Sequence, residues 1–414
     1  MEELCRTAAA NQRASRAYNR SMNLSAIQSA LREAGLDGWL FYDHHHRDPI
    51  ADHMLGLDPK AHLTRRWYYY LPAQGEPRKL LHRIEQLKFR ALDGETLLYS
   101  SWQELHAGIA QLLDGAQTIA MQYSPNNDIM YVSMADAGTV EFVRSLGKAI
   151  VSSADLVAQF QAVLTDEQKA THTVAQQAID ELLAEGWLEI GRRLRPAVGS
   201  ATPYTEFDHV QWLSEAMRRS GLTWQDGPNV SVNQNASDSH YEPTATSSAV
   251  IREGDFVLID IWGRQQQPGS VYYDITWTGV VGREPSEREQ QVFATVVAAR
   301  DAAIATVQQA YAEGRAIHGW EADDAARNVI AAAGFGPCFT HRTGHNITEQ
   351  IHGPGANLDN LETHDQRLLL PNTCFSVEPG IYLPEFGLRS EVDMLTAPGK
   401  AWVTGRIQRA LVRI

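Results

Sequence analysis

Two acidic side chains near the carboxyl end of the chain stand where a hairpin would bring them together. An apolar run over residues 374–377 ends at Glu378. A Pro-Glu-Phe-Gly turn follows at residues 384–387, and the returning run contains Glu391. Folding about the first two residues of this turn sets Glu378 opposite Glu391. Carboxylates paired in this way repel each other strongly once water is excluded, so the pair requires a shared proton or a bound cation.

A second predicted hairpin lies upstream and also carries opposed carboxylates. One apolar run ends near Asp260, a loop rich in glutamine, proline and glycine spans residues 265–269, and the return run contains Asp274. Folding about Gln267 pairs Asp260 with Asp274. Four carboxylates from two similar hairpins indicate one site that binds more than one cation.

Histidines between the two hairpins offer a further class of ligand. These are His341, His345 and His352. Imidazole together with carboxylate oxygens suits divalent ions of the Mn, Co, Fe or Zn type. Taken singly, an acidic residue on a hairpin is more often a turn or cap residue, and a histidine more often a surface or hydrogen-bonded core residue.

The composition of the 414-residue chain is that of an ordinary globular protein, with 43% hydrophobic and 21% charged residues. Because cores rarely grow beyond roughly 250–300 residues, two domains are expected. The net charge of −14 argues against partners such as nucleic acid or an anionic membrane. No apolar run approaches the ~18 residues of a membrane span. The cysteine usage favours a reducing cytoplasm over a disulfide framework, since Cys5, Cys338 and Cys374 are few and widely spaced.

The first residues of the chain are predicted to stand apart from the folded domains. Residues 1–22 are polar, lack the apolar core of a signal peptide and form an N-terminal arm, with Met22 as an alternative start to Met1. Further on, three consecutive histidines at His44–His46 cannot all face one point in an extended segment. A rim or subunit-contact loop is favoured there over a second metal site.

Two domains follow this arm. Residues 23–162 alternate strands with helices, which predicts an α/β domain. Thr165 and Gln168 form a capping box at the start of a long helical pattern, and this begins the second domain over residues 165–414. In the second domain the order helix, helix, hairpin occurs twice. An α+β domain with α-α-β-β halves related by a pseudo-two-fold axis is therefore expected.

The order of five potential ligands resembles the metal-ligand set of the pita-bread metallopeptidases of family M24: Asp260, Asp274, His345, Glu378 and Glu391. That family includes methionine aminopeptidase, Xaa-Pro aminopeptidase and Xaa-Pro dipeptidase (prolidase). The likeness is carried by YYDITWTG, TGHNI, VEPGIY and LRSEVD, and it covers residues 165–414. The preceding domain, with LREAGLDGWLFYD near its start, is similar to the N-terminal domain of creatinase.

The resemblance implies a role for each ligand. Asp274 and Glu391 would bridge two metal ions, and Asp260 would chelate one of them. His345 and Glu378 would complete the coordination of the other ion. Glu378 would also carry a proton to the leaving amine.

The resemblance also implies residues that meet the substrate. His240 would contact the substrate, and His352 would donate to the scissile carbonyl. His341 and Arg389 resemble substrate-side residues or residues that support the ligands. Arg389, two residues from Glu391 on one strand face, is expected to steady that carboxylate.

The function expected from this resemblance is hydrolysis of the N-terminal peptide bond of short peptides, with Xaa-Pro bonds favoured. Each subunit would hold two divalent metal ions, Mn²⁺ first and Co²⁺, Zn²⁺ or Fe²⁺ as alternatives, in a cytoplasmic homodimer. One alternative is a metal-dependent hydrolase or lyase of a small non-peptide amide or osmolyte. Another is a binding protein with a degenerate site, and the intact set of five ligands counts against it.

The sequence departs from the family pattern at three places. Asp260 and Asp274 are farther apart than usual, which lengthens their hairpin, and the residues around His345 lack the commoner glycine-rich form. Where prolidases place an arginine that reads the C-terminal carboxylate of a dipeptide, this chain has His364 with Arg367 nearby. The sequence therefore does not predict specificity for dipeptides over longer peptides.

Overall fold

The computed structural model describes residues 23–195 and 203–414. The predicted arm at residues 1–22, with its alternative start sites, lies outside this part of the chain. The chain divides into two compact units, one up to residue 160 and one from residue 161. Within the described ranges, no helix combines the length and the apolar character that a membrane span needs.

The N-terminal unit is a mixed β-sheet with helices on its faces. Its strands are β1 (Gly38–Asp43), β2 (Trp67–Pro72), β3 (Arg78–His82), β4 (Glu95–Tyr99), β5 (Thr118–Met121) and β6 (Ala149–Ser152). Its helices are α1 (Leu24–Glu33), α2 (Pro49–Leu55), α3 (Trp102–Leu112), α4 (Ala137–Ser145) and α5 (Ala154–Val157), with 3₁₀ turns at Gln86–Phe89, Pro125–Asn127 and Met130–Val132. The strands pair in the order β4-β3-β2-β1-β5-β6, antiparallel around β2 and parallel elsewhere.

Successive residues of the central strand β1 feed two separate cores. Trp39 and Phe41 pack into one cluster with residues of α1 and α2, whereas Leu40 and Tyr42 pack into another with residues of α3. Because both faces of the sheet are covered, the strand reads as a continuous buried run rather than an alternating one. The predicted α/β class of this unit is confirmed.

The histidine-rich loop after β1 is fixed by its own side chains. The ring of His46 lies 2.8 Å from Asp52 through Nδ1 and 2.7 Å from the carbonyl oxygen of Ala61 through Nε2. The carboxylate of Asp43 accepts the backbone N–H of His46 at 2.8 Å. His46 therefore stabilises the turn, and the interpretation of the loop as a rim or contact surface stays a prediction.

The C-terminal unit contains helices and strands in two successive groups, with a π-helical turn at Ala158–Ala162 where the units join in sequence. The first group is α6 (Asp166–Leu194), α7 (Glu206–Arg219), β7 (Leu222–Thr223), β8 (Asn229–Val232), a 3₁₀ turn at Asn233–Ser237, β9 (Phe256–Gln265) and β10 (Tyr273–Val280). The second group is α8 (Glu287–Ala312), α9 (Gly319–Ala332), a 3₁₀ turn at Gly336–Cys338, β11 (Asn346–Ile347), β12 (Cys374–Val377), β13 (Gly380–Tyr382), β14 (Gly387–Arg389), β15 (Val392–Ala397), β16 (Lys400–Thr404) and β17 (Val412–Arg413).

Each group ends in a hairpin that becomes the centre of a small sheet. The β9–β10 hairpin is flanked by β7 and β8 on one side and by β17 on the other. The second hairpin runs from β12 through β13 and β14 back to β15, with β11 and β16 at its edges. Two helices precede each hairpin, so the expected pair of α-α-β-β halves and the α+β class are confirmed.

The long helix α6 begins at the capping box that the sequence predicts. The Thr165 hydroxyl accepts the backbone N–H of Gln168 at 3.2 Å, and the Gln168 side chain accepts the backbone N–H of Thr165 at 3.0 Å. From there the helix lays Ile179 and Leu183 against a core shared with β9. This packing covers one face of the first hairpin, and Asp260 and Asp274 lie on the other face.

Replacing Thr165 with alanine is expected to lower the free energy of unfolding of the C-terminal unit by about 1 kcal/mol, because an N-cap acceptor is lost. Thermal unfolding should then occur roughly 2–4 °C lower, as is usual for a unit of this size. Thr165→Ser keeps the hydroxyl and serves as the matched control. Equal melting temperatures for both variants would contradict the assigned cap.

Candidate metal centre

Asp260 and Asp274 lie on the same face of the β9–β10 hairpin but not directly opposite each other. The ladder pairs Asp260 with Thr276, and Asp274 with Trp262. The predicted register is therefore wrong by two residues, because β9 runs farther and the hairpin folds one residue beyond the predicted centre. A shift of two residues keeps every side chain on its own face, so both carboxylates still point to one site.

The second hairpin has the predicted register. Residues on both sides of Glu378 and Glu391 pair in the alignment that sets these glutamates opposite each other. Both glutamates lie at a break in the ladder, where their backbone N–H groups find other acceptors. Glu378 donates to the carbonyl oxygen of Thr343 at 2.7 Å, and Glu391 donates to that of Thr276 at 3.1 Å. The second of these bonds ties the two hairpins together.

Side chains strengthen this junction. The Thr276 hydroxyl lies 2.9 Å from Oδ1 of Asp260 and 2.7 Å from Oε2 of Glu391, so it bridges a carboxylate of each hairpin. The backbone N–H of Asp274 donates to Oδ2 of Asp393 at 2.9 Å. Thr276 and Asp393 are not among the residues predicted for the site from the sequence. The available signal was their period-two spacing from Asp274 and Glu391.

The junction gathers ligand atoms from three separate segments. Asp274, His345 and Glu391 are buried and each offer one atom within 4.8 Å of the others. The Nε2 atom of His345 lies 3.6 Å from Asp274 and 3.3 Å from Glu378. Among the described residues, Oδ1 of Asp274 and Oε1 of Glu391 are buried with no hydrogen-bond partner. Buried carboxylate oxygens without donors, next to an imidazole, fit a divalent cation.

The pKa values of the clustered side chains also fit a bound cation. Burial raises the pKa of Asp274 and of Glu391 well above the ordinary range, and the charges of neighbouring carboxylates raise both further. Burial also raises the pKa of Asp260 to about 7. The pKa of His345 is lowered by burial to about 4, so its ring is neutral and keeps a lone pair for a metal. These carboxylates need a cation to remain ionised together at neutral pH.

Arg389 forms its direct ion pair with Asp260. Its guanidinium contacts the Asp260 carboxylate through Nη2 and donates from Nε to the Thr276 hydroxyl at 3.0 Å. No direct ion pair between Arg389 and Glu391 is formed, since the Thr276 hydroxyl contacts both side chains. The positive charge of Arg389 still lowers the pKa of Glu391, in line with the electrostatic support that the sequence predicts. The same charge lowers the pKa of Asp260.

His341 is linked to Arg389 through a tyrosine. Nδ1 of His341 lies 2.7 Å from the carbonyl oxygen of Arg342, and Nε2 lies 2.7 Å from the hydroxyl of Tyr382. A carbonyl can only accept, so Nδ1 carries the proton and Nε2 accepts from Tyr382. The tyrosine oxygen in turn accepts from Arg389 at 3.3 Å. Burial lowers the pKa of His341 to about 4, which keeps this chain in one protonation state.

His352 and His240 are exposed on the open side of the site. The ring of His352 stands perpendicular to that of His345, with centroids 4.4 Å apart. The repulsion that a second imidazolium beside His345 would meet, followed by burial, lowers the pKa of His352 to about 3, and His240 contributes in the same direction. His352 is thus brought to the ligand cluster, and His240 lies within its electrostatic reach.

The loop that carries His240 is held by a buried carboxylate on α7. Glu206 accepts the backbone N–H groups of Val232 and Ala249 at 2.7 Å each, and the hydroxyl of Tyr241 at 2.6 Å. This anchor was missed in the sequence, where Glu206 reads only as a first-turn acidic residue. Its partners are distant in the chain and give no local signal.

Arg367 and His364, the two residues near the position that binds a dipeptide carboxylate in prolidases, differ in their accessibility. Arg367 is buried and forms a two-point ion pair with Asp365, with contacts of 2.6 and 2.9 Å, and donates to the carbonyl oxygen of Pro354 at 2.8 Å. His364 is exposed, with Nδ1 2.7 Å from the side-chain oxygen of Asn360. Arg367 is therefore committed to the loop, and only His364 remains accessible.

A second buried group combines His172, Cys374 and Asp393 behind the main cluster. Both ring nitrogens of His172 are already engaged, at 2.6 Å from the carbonyl oxygen of Tyr272 and at 2.9 Å from the Thr404 hydroxyl. This group is therefore a hydrogen-bonded part of the core.

Comparison with known proteins decides the family. A sequence model of metallopeptidase family M24 matches residues 165–398, more than half of the chain. The chain belongs to metallopeptidase family M24. This metallopeptidase is 28% identical over 383 residues to the "probable dipeptidase PepE" of Mycobacterium tuberculosis, an alignment that covers 90% of each chain.

Two further comparisons extend this result. The metallopeptidase is 32% identical over 163 residues to the Xaa-Pro dipeptidase of Pyrococcus horikoshii, covering 39% of this chain and 42% of that enzyme. The crystal structure of dipeptidase PepE from Mycobacterium ulcerans superposes with a TM-score of 0.71 at 23% identity, over 96% of this chain and 98% of that one. The structural likeness confirms the pita-bread fold.

Gly344→Ala is expected to weaken metal binding by this metallopeptidase at least about tenfold, because supporting contacts of a ligand are commonly worth that much. A methyl group at Gly344 would lie 2.0 Å from the carbonyl oxygen of Ser376. Ser376 holds His345 by two hydrogen bonds, of 3.0 and 2.9 Å, so the clash displaces that ligand. Calorimetric titration with Mn²⁺ measures the effect. Gly191→Ala is the control, since its methyl would meet the nearest atom at 3.8 Å. Equal metal affinity in both variants would contradict this placement of His345.

The metal-free metallopeptidase is expected to lose stability as the pH rises through 7. Asp260 has a folded-state pKa of about 7, above its unfolded value, so the folded state binds more protons in the interval between them. The contribution of Asp260 to folding stability is fully present below its unfolded-state pKa and is lost as the pH rises through 7. The pKa values of Asp274 and Glu391 are raised as well, so these groups act in the same direction. Melting temperatures of chelator-treated protein between pH 5 and 8 test this. Asp274→Asn should flatten the slope, and a melting temperature that rises over this range would refute it.

Proposed function

We propose that this metallopeptidase is a dinuclear aminopeptidase or dipeptidase that cleaves the N-terminal bond of short peptides, with Xaa-Pro bonds favoured. The observation that carries the proposal is the cluster of buried side chains that offer potential ligand atoms within 4.8 Å of one another, in which two carboxylates each keep an oxygen that has no hydrogen-bond partner in the part of the chain that the structure describes. The preference for Xaa-Pro is supported by the Xaa-Pro dipeptidase of Pyrococcus horikoshii among the relatives.

The proposed ligand roles are those that the family resemblance implies, and the positions of the side chains support them. Asp274 and Glu391 stand at the centre of the cluster and would be shared by two ions, with Asp260 on one side. His345 and Glu378, which lie 3.3 Å apart, would serve the ion on the other side. A mainly oxygen donor set with one imidazole suits Mn²⁺, and it also accepts Co²⁺, Fe²⁺ and Zn²⁺. Divalent ions bound there would supply Lewis-acid activation of water and of the scissile carbonyl.

Glu378 is the carboxylate best placed to move a proton. It keeps 14% of its side chain exposed, whereas Glu391 is 1% exposed, so Glu378 can reach an attacking water. It would accept the proton from that water and deliver it to the nitrogen of the leaving residue. Its backbone is fixed by Thr343, which limits the positions that the carboxylate can take.

The exposed histidines would orient the peptide. His352, perpendicular to the ring of His345, is placed to donate to the scissile carbonyl oxygen. His240 would contact the substrate from a loop that Glu206 anchors. The chain from Arg389 through Tyr382 to His341 would line the side where the leaving residue is released.

The remaining parts of the proposal concern the whole protein. Residues 23–162 would form a creatinase-like N-terminal domain that contributes to a homodimer, and residues 165–414 would form the catalytic domain. A cytoplasmic location is supported by Cys338 and Cys374, which are both free thiols.

Hydrolysis by metal-stripped protein with and without added Mn²⁺ tests the proposed function. We expect Mn²⁺-dependent cleavage of Xaa-Pro peptides, at least about tenfold faster than cleavage of a Met-Ala peptide or creatine. The ratio of dipeptide to tripeptide cleavage separates a dipeptidase from an aminopeptidase, and His364→Ala should change it only if His364 reads the free carboxylate. Binding of two Mn²⁺ ions without turnover of any peptide would favour the non-peptide substrate class.

Single ligand variants provide the matched test of the site. Asp274→Ala should abolish both metal binding and peptide hydrolysis, because it removes a central ligand and leaves Glu391 without its partner cation. Glu284→Ala removes a carboxylate whose side chain is 78% exposed and should retain both properties. Full activity in Asp274→Ala would overturn the ligand assignment.

A further inference from the structure

An indole lies next to the ligand carboxylates on the same face of the first hairpin. Trp262 is two residues after Asp260 on β9 and pairs directly with Asp274 on β10. Side chains of directly paired residues on one face stand roughly 4.5–5.5 Å apart at Cβ. The neighbouring residues Ile259 and Ile261 point to the opposite face and its core. Trp262 therefore borders the proposed metal site.

The indole is held in a fixed position. Its Nε1–H donates to the carbonyl oxygen of Gln225 at 2.9 Å. The backbone of Gly227, at φ +58°, crosses the ring so closely that a Cβ there would lie 2.1 Å from two ring atoms. The ring nevertheless stays partly exposed. A rigid aromatic surface that remains open to solvent is suited to bind an apolar group without a large loss of entropy.

Other apolar side chains extend this surface. Trp224, Trp262 and Ile351 are all partly buried against one cluster that includes Tyr272. The backbone N–H of Tyr272 donates to the carbonyl oxygen of Thr348 at 3.0 Å, which ties the end of the hairpin to the loop before His352. Trp262 and Tyr272 from the hairpin thus form, together with Trp224 and Ile351, a largely aromatic wall beside the site.

The position of this wall along the hairpin indicates which part of a peptide it meets. One end of the ligand face, at Asp260 and Thr276, contacts Arg389, whose Nε lies 3.7 Å from Glu378. Glu378 delivers its proton to the leaving residue, so that residue belongs at this end. The next pair on this face, toward the loop of the hairpin, is Trp262 with Asp274. Trp262 therefore lies farther from Arg389 than Asp260 does. The residue on the amino side of the cleaved bond is then the one that faces the indole.

We propose that Trp262 is a specificity-determining residue that binds the side chain of the N-terminal residue and selects apolar or aromatic ones. This inference rests on the proposed peptidase function and narrows its substrates to peptides of the type Leu-Pro or Phe-Pro rather than Gly-Pro. The selection arises from contact between the substrate side chain and the fixed indole, and it requires no change in the ligands.

The test compares kcat/KM for Gly-Pro, Ala-Pro, Leu-Pro and Phe-Pro substrates with Mn²⁺-loaded protein. The wild-type chain should prefer Leu-Pro and Phe-Pro, and Trp262→Ala should reduce the Leu-Pro to Gly-Pro ratio by about tenfold or more, mainly through KM. Trp262→Phe keeps an aromatic ring and should retain most of the ratio. Trp277→Ala is the matched control, because Trp277 lies on the same hairpin but packs against the opposite core. If kcat/KM for Gly-Pro and Leu-Pro falls equally in Trp262→Ala, so that their ratio is unchanged, the proposal is overturned.

Binding of the free N-terminal product separates this inference from the proposed function. Calorimetry with leucine and glycine requires no turnover, and leucine should bind about tenfold more tightly to Mn²⁺-loaded protein only when Trp262 is present. If wild-type protein cleaves no Xaa-Pro peptide, the proposed function fails, while Trp262-dependent preference for leucine would still support the subsite. If peptides are cleaved but leucine and glycine bind equally, the subsite fails and the function stands.

Discussion

Repulsion between buried carboxylates is the constraint on which the rest of the catalytic unit depends. Asp260, Asp274, Glu378 and Glu391 converge in a region from which water is largely excluded, and such groups cannot all be ionised there without compensation. Arg389 offsets part of the charge at Asp260, and Thr276 donates to one carboxylate at a time. The remaining compensation has to come from protons or from bound cations, and cations are the only one of the two that leaves all four carboxylates ionised.

Local sequence patterns were sufficient to predict the strand register of the second hairpin but not that of the first. The compact turn at residues 384–387 marks its own centre, so the register around Glu378 and Glu391 follows from counting. The glutamine-rich loop at residues 265–269 contains no such mark, and nothing local indicates that β9 continues to Gln265. A register error of two residues left the facing of the side chains intact, which is why Asp260 and Asp274 still face one site.

Contacts between distant segments were the part that the sequence did not reveal. Arg389 was placed on the correct face, yet its partner is set by how the two hairpins dock, and that docking depends on the bond between Glu391 and Thr276. Glu206 likewise meets its partners only after α7 packs beside the loop that follows β8. Candidate ligands can thus be predicted from motifs, whereas the residues that orient them, and those proposed to shape the pocket, such as Trp262, are recognised only from the fold.

The division of ligands between two hairpins has a mechanical consequence. Asp274 and Glu391 are more than a hundred residues apart in the chain, so an ion held by both would act as a reversible cross-link between the two halves. This cross-link would add to the hydrogen bonds at Thr276 and to the shared core in which Phe256 of the first hairpin packs with Phe375 of the second. Ion content would then affect the rigidity of the unit as well as its chemistry.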